Sequence, residues 1–210
     1  TTSMTTTTSI DPRLLQLASP TLPVGAYSYS GGLESAVEAG IVTDAASAQR
    51  WIGDVLEHSV LKMEAPLLLR LIEEPDARWN EDFLASRETA ELRAETVQMG
   101  YSLNRLLPDL GVEACPYEEP SFPAVFAQAV RAWGIPARQA LTAYLWAWLE
   151  NQVMAAVKAV PLGQTDGQKM LLALGARLQE VSEDEPGNFA PGLAILSSRH
   201  ETQYSRLFRS

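Results

Sequence analysis

Residues 140–160 read ALTAYLWAWLENQVMAAVKAV, the most apolar stretch of the chain. Glu150, Asn151 and Gln152 interrupt it well short of the ~20 apolar residues that a membrane span needs, so it reads as a buried central helix. Around it, helix punctuation recurs while alternating strand patterns are nearly absent. That contrast predicts an all-α fold, a single-domain bundle of about seven to ten helices with a C-terminal partner-binding tail.

Outward from the central helix, Ala137 to Val160, a helix is expected before it at Ala124 to Trp133 and after it at Asp166 to Val181, with Asp166 as cap. A Glu/Asp/Pro/Gly linker, 183–188, precedes a last helical turn or two from Leu193 towards Glu201. Further back, Asn80 is placed to cap one long helix reaching Leu107, which Pro108 ends. Thr43 or Asp44 caps a helix whose apolar residues Trp51, Ile52, Val55, Leu56, Val60, Leu61 and Met63 recur at helical spacing. Pro66 should kink or divide it before Leu67 to Ile72. Asp11-Pro12 opens a short first helix, residues 19–31 form a loop, and Leu33 to Ala39 is helical until Gly40. Residues 108–123, with four prolines and Gly111, form the longest internal connection and a candidate hinge. Residues 1–9, threonine-rich and without basic or apolar leader regions, read as a disordered segment ahead of one helical domain over 10–210.

Composition narrows the function. With 46% hydrophobic and 20% charged residues the chain is ordinary globular material, long enough to bury a core without metal or disulfide. Its net charge of −10 opposes non-specific binding to nucleic acid or anionic membranes, so neither is an expected partner. A lone cysteine, Cys115, cannot form an internal disulfide, which makes a reducing, cytoplasmic compartment the default.

The familiar catalytic patterns fail. Two histidines and one cysteine in separate segments make no metal-ligand cluster, so no metal site and no cofactor are expected. Ser30 precedes Gly31-Gly32, but Ser28 stands where a nucleophile elbow requires glycine. Gly163 to Lys169 superficially resembles a phosphate loop, yet the spacing is wrong and no Ser/Thr follows the lysine. No catalytic residue is assigned. His58 reads as a surface or packing residue. Glu88, Glu91 and Glu95 share a helix face, either solvated and partly paired or meeting a basic partner.

Two segments instead suggest recognition. The loop from Leu22 to Glu34 sets Tyr27, Ser28, Tyr29 and Ser30 between proline and glycines. Such a loop either reads a partner or plugs the core with its tyrosines. The tail from Ser198 to Ser210 alternates three arginines with Tyr204, Leu207 and Phe208, residue types enriched at interface hot spots. It either folds in a partner's groove or docks on its own domain.

These segments resemble the UreF-type urease accessory proteins. Leu22-Pro23-Val24-Gly25-Ala26-Tyr27-Ser28-Tyr29-Ser30 with Gly32-Leu33-Glu34 is similar to the family's N-terminal signature, and Arg199-His200-Glu201-Thr202-Gln203-Tyr204-Ser205-Arg206-Leu207-Phe208 to its C-terminal one. Lys158-Ala159-Val160-Pro161-Leu162-Gly163-Gln164 with Asp166-Gly167-Gln168 is similar to a third block. The resemblance implies a non-enzymatic, usually dimeric protein that binds a UreD/UreH-type scaffold and recruits a UreG-type GTPase for nickel insertion into apo-urease. By motif it points to Tyr27, Ser28, Tyr29, Glu34, Lys158, His200, Glu201, Tyr204, Arg206 and Phe208 as partner-binding residues, with Tyr27 and Arg206 foremost. An activator of the GTPase, with Arg206 as arginine finger, is the alternative, and a generic helical adaptor a third. Cys115 lies outside the matched blocks and is not assigned as a nickel ligand.

Overall fold

The central helix, α8 (Ala137–Ala159), buries Leu141, Tyr144, Leu145, Leu149, Gln152, Val153 and Ala156 along one face, at the steps that keep helical residues on a common side. Each leucine in that row contributes about 2 kcal/mol of transfer free energy. Trp146 and Trp148 turn the other way and stay partly exposed, so α8 is covered on one side instead of surrounded. The computed structural model describes residues 10–181 and 186–210. The disorder expected for 1–9 and part of the 183–188 linker lie outside the described residues.

Among the described residues the chain forms ten α-helices and no strand. Against α8 pack α1 (Pro12–Ala18), α2 (Leu33–Glu38), α3 (Ala45–Val55), α4 (Ala65–Glu73) and α9 (Gln164–Gly175). Behind α4 lies α7 (Phe122–Trp133), itself packed on α6 (Ala90–Leu106), and α10 (Pro191–His200) closes over α2 and α6. One apolar cluster runs continuously from Leu14 to Phe208.

Local chemistry sets the helix ends. Asp11 accepts the Arg13 N–H ahead of Pro12, and Asp44 with Ser47 makes a reciprocal capping box for α3. Pro66 does not divide its helix as expected. Instead α3 continues through a wider π-helical segment, Leu56–Glu64, into α4. Proline has no N–H to offer the carbonyl four residues back, that of Lys62. This carbonyl accepts the Gly187 N–H at 3.0 Å, and His58 O accepts Phe189 N–H at 3.1 Å, so the chain at 187–189, where the linker ends, binds where the helix is loosened. Asp166 is not the cap of α9; Gly163 holds that position and Asp166 lies in the first turn. The helix ends at Gly175 and tightens into a 3₁₀ turn, Ala176–Gln179, short of the expected Val181.

The long helix expected from Asn80 is two helices. Asp76 caps α5 (Ala77–Ala85) through the Arg78 N–H, Ser86 closes it with its hydroxyl on Phe83 O at 2.7 Å, and Thr89 caps α6 through Leu92 N–H. Asn80 has a different task. Buried inside α5, its amide donates to Glu119 O at 3.0 Å and accepts from Ser121 N–H at 2.8 Å. Asn104 grips the Cys115 backbone in the same two-handed way, at 3.2 and 2.7 Å. The 108–123 connection is therefore pinned rather than hinged. At Gly100 its backbone comes so close that a Cβ would stand 2.2 Å from Pro120 O, which only glycine permits.

Candidate protein-docking site

The loop at 22–34 and the tail after His200, distant in sequence, meet at one place. Glu34 organises it. In the first turn of α2, where a carboxylate suits the positive helix end, Glu34 is only 6% exposed. Its Oε1 accepts the Leu207 N–H at 2.6 Å, and its Oε2 accepts the Phe208 N–H at 2.9 Å while facing His200 Nε2 at 3.1 Å. The other ring nitrogen, Nδ1, faces Glu91 Oε2 at 2.7 Å, and Arg206 donates to Glu91 Oε1, also at 2.7 Å. His200 has no exposed surface and stands between the two carboxylates, so this arrangement is an internal clamp that joins α2, α6 and α10.

Beyond the clamp, the Arg209 N–H donates to Ser28 O at 2.7 Å. Ser30 donates to Ser210 O through both its N–H, at 2.7 Å, and its hydroxyl, at 2.5 Å. The Ser210 hydroxyl in turn donates to Glu95 at 2.9 Å. Of the two readings left open for the tail, it docks on its own domain. Ser30, fully buried, is a tail anchor. The helix face expected to carry three glutamates is corrected accordingly: Glu88 lies ahead of the Thr89 cap and stays exposed, while Glu91 and Glu95 on α6 lie beneath the tail and meet the chain's own donors. Glu95 faces an internal pocket, and desolvation pushes its carboxyl up to about 7 despite the Ser210 hydrogen bond. Burial likewise raises the Tyr29 phenol, which the Arg209 side chain partly offsets. Gly32 sits where the loop enters α2 with φ 79°, and a Cβ there would press on Leu193 at 3.1 Å.

The candidate residues divide by depth. Tyr29, Glu34, His200 and Phe208 are buried and hold the tail down. Tyr27, at 67% exposed, and Tyr204, fully exposed, face outward together with Lys158, Glu201 and Arg206. Ser28 is half-buried, its carbonyl taken by the tail. Lys158, in the last turn of α8, sets its ammonium 5.9 Å from the Tyr27 ring and 5.8 Å from that of Phe208, joining loop and tail into one surface. Leu207, 72% exposed, belongs to that surface and was missed; its sole signal was a place in the aromatic-basic alternation. Glu91, Glu95 and Ser210 were also missed as anchors, because helical spacing shows which residues share a face but not what covers it.

The UreF family model matches residues 42–175 of this chain. A urease accessory protein UreF of Azoarcus sp. (strain BH72) is 61% identical, with 94% of each chain covered. Its counterpart in Dechloromonas aromatica (strain RCB) is 52% identical over 94% of this chain and 96% of its own length. The chain belongs to the UreF family. In this UreF family member the span 42–175 includes Glu91, Glu95 and Lys158, whereas Glu34 and the tail they engage lie outside it. Among the described residues, no group of three His, Cys, Asp or Glu side chains could hold a metal ion, and no helix is long and apolar enough to cross a membrane. His58, with a half-exposed side chain beside Glu57, stands apart from the site.

Proposed function

We propose that this UreF family member is a non-enzymatic adaptor of urease maturation. It docks on a UreD/UreH-type scaffold, recruits a UreG-type GTPase and so supports nickel insertion into apo-urease, acting in the cytoplasm as a homodimer within the complex. The observation that carries the reading is the outward surface of Tyr27, Lys158, Tyr204, Arg206 and Leu207, fixed in shape by the buried Glu34–His200–Glu91 clamp. Aromatic and arginine side chains on a pre-ordered surface lose little entropy on binding and are the types that dominate interface energetics. Ser30, whose hydroxyl is taken by the tail, and the enclosed histidine act in this arrangement as tail anchors.

Co-purification of the chain with scaffold and GTPase tests it. Arg206→Ala and Tyr27→Ala should abolish or sharply weaken retention of at least one partner while the helical content stays unchanged. Full retention of both partners by the folded double variant would overturn the assignment of this surface.

A further inference from the structure

A pocket of about 310 Å³ lies between α6, α8 and the π segment; Tyr27 and Lys158 of the outward surface are among its lining residues, but the docking reading makes no use of its interior. Val55, Val60, Phe83, Leu92 and Met99 give it an apolar wall. Glu95, Gln152 and Ser59 are among the polar groups in its lining. Gln152 is 4% exposed and Ser59 2% exposed, yet neither side chain has a hydrogen-bond partner among the described residues. Buried amides and hydroxyls are normally paired, so two unpaired ones at a cavity wall mark places where something else supplies the bonds.

Charge says what kind of occupant fits. Glu64, Glu95 and Glu150 line the pocket against Arg87 and Lys158, three carboxyls to two cations. Glu64 is already satisfied, by Arg87 at 2.8 Å and the Tyr144 hydroxyl at 3.0 Å. Glu95 has one carboxylate oxygen on Ser210 and no ion pair of its own, and burial makes its negative form unfavourable there. A single positive charge balances the set. The volume is at the lower end of ordinary small-molecule sites.

We propose that this pocket binds a small organic monocation with an apolar body, its amidinium or ammonium head held by the Glu95 carboxylate and the Gln152 side-chain carbonyl. The interaction neutralises the Glu95 carboxylate and satisfies the unpaired amide, while the apolar wall covers the body. Tyr27 and Lys158 border both the pocket and the docking surface, but the two groups that hold the head, Glu95 and Gln152, are not among the outward residues, so the assignment does not need the docking reading.

Benzamidinium and its neutral isostere benzamide are suitable probes, titrated into the full chain with the Met99 methyl resonance as reporter. Benzamidinium should bind saturably and at least about tenfold more tightly than benzamide. Glu95→Gln should abolish the preference, and Gln152→Leu should weaken benzamidinium severalfold without changing helical content. Binding should also weaken as pH falls below about 7, approaching tenfold per unit, since the head displaces the Glu95 proton. The groups facing Glu95 across that range are Glu64 from the π segment, Arg87 from the turn before α6, Tyr29 from the 22–34 loop, Tyr144 from α8 and Ser210 from the tail. Equal binding of the two probes, or no saturable Met99 shift at millimolar benzamidinium, would overturn the proposal and leave the pocket to water. A preference for benzamidinium surviving in Glu95→Gln would do the same.

Discussion

Two irregular segments lie against α6, and they are held in opposite ways. The 108–123 connection rests on its C-terminal half, gripped by the neutral amides of Asn80 and Asn104 and pressed onto Gly100. The tail rests on the N-terminal half, held by Glu34, Glu91 and Glu95. Amide-to-backbone bonds carry no net charge and are indifferent to pH, and a backbone pressed on glycine leaves no room for alternatives. Carboxylates holding backbone N–H groups are strong but depend on ionisation and on solvent exclusion. The connection also leaves few large apolar groups outside, whereas the tail leaves Tyr204 and Leu207 in solvent. The difference separates a strut held by neutral bonds from a segment held by carboxylates, whose outward face is the proposed docking surface.

The contrast can be broken most forcibly at Gly100. Gly100→Ala drives a methyl into the Pro120–Ser121 backbone and should cost about 3 kcal/mol in denaturant unfolding, with the tail amides still protected from exchange. An unaffected midpoint would show that the connection yields and is no strut. Glu34→Gln should cost less, about 2 kcal/mol, since it weakens charge-assisted bonds without a steric clash. Its distinguishing effect is local: hydrogen exchange at Leu207 and Phe208 should accelerate while Cys115, held by Asn104, stays protected. Equal acceleration at both places would mean that the two segments unfold as one unit.

Glu95 sharpens the comparison through pH. Its folded value of about 7 lies above the ordinary 4.5, so between the two the folded state holds a proton that the unfolded state has lost. This group's contribution to stability is therefore complete below about 4.5 and is lost as pH rises to about 7. Glu95→Gln removes the effect, so the variant should gain relative to the parent between pH 5 and pH 8. A constant difference across that range would contradict the assignment. The smallest effect is expected at Tyr27: Tyr27→Ala should stay within about 0.5 kcal/mol of the parent, because an exposed ring leaves no cavity.

The fold was legible because the chain marks its helix ends with local chemistry. Asp11-Pro12, Asp44 with Ser47, and Gly40 act within four residues of where they stand, so sequence order suffices to find them. Asn80 misled because asparagine suits both a cap and a buried grip, and the choice depended on Glu119 and Ser121, about forty positions away. Thr89, the true cap, was overshadowed by the continuous apolar spacing around it. The outward residues of the site were legible from composition, tyrosines and arginines being conspicuous in an acidic chain. The clamp was not, because Glu34 and His200 are 166 residues apart and nothing local in either segment marks the partner. The unpaired Gln152 was equally hidden, since it follows helical spacing as any core residue would.

The central claim, that the clamped tail presents a docking surface, is tested most directly by the affinity of the Tyr204→Ala/Leu207→Ala double variant for a UreD/UreH-type scaffold. Both side chains are exposed and neither takes part in the clamp, so unfolding should match the parent while affinity falls about a hundredfold. Parental affinity in the folded double variant would contradict the account.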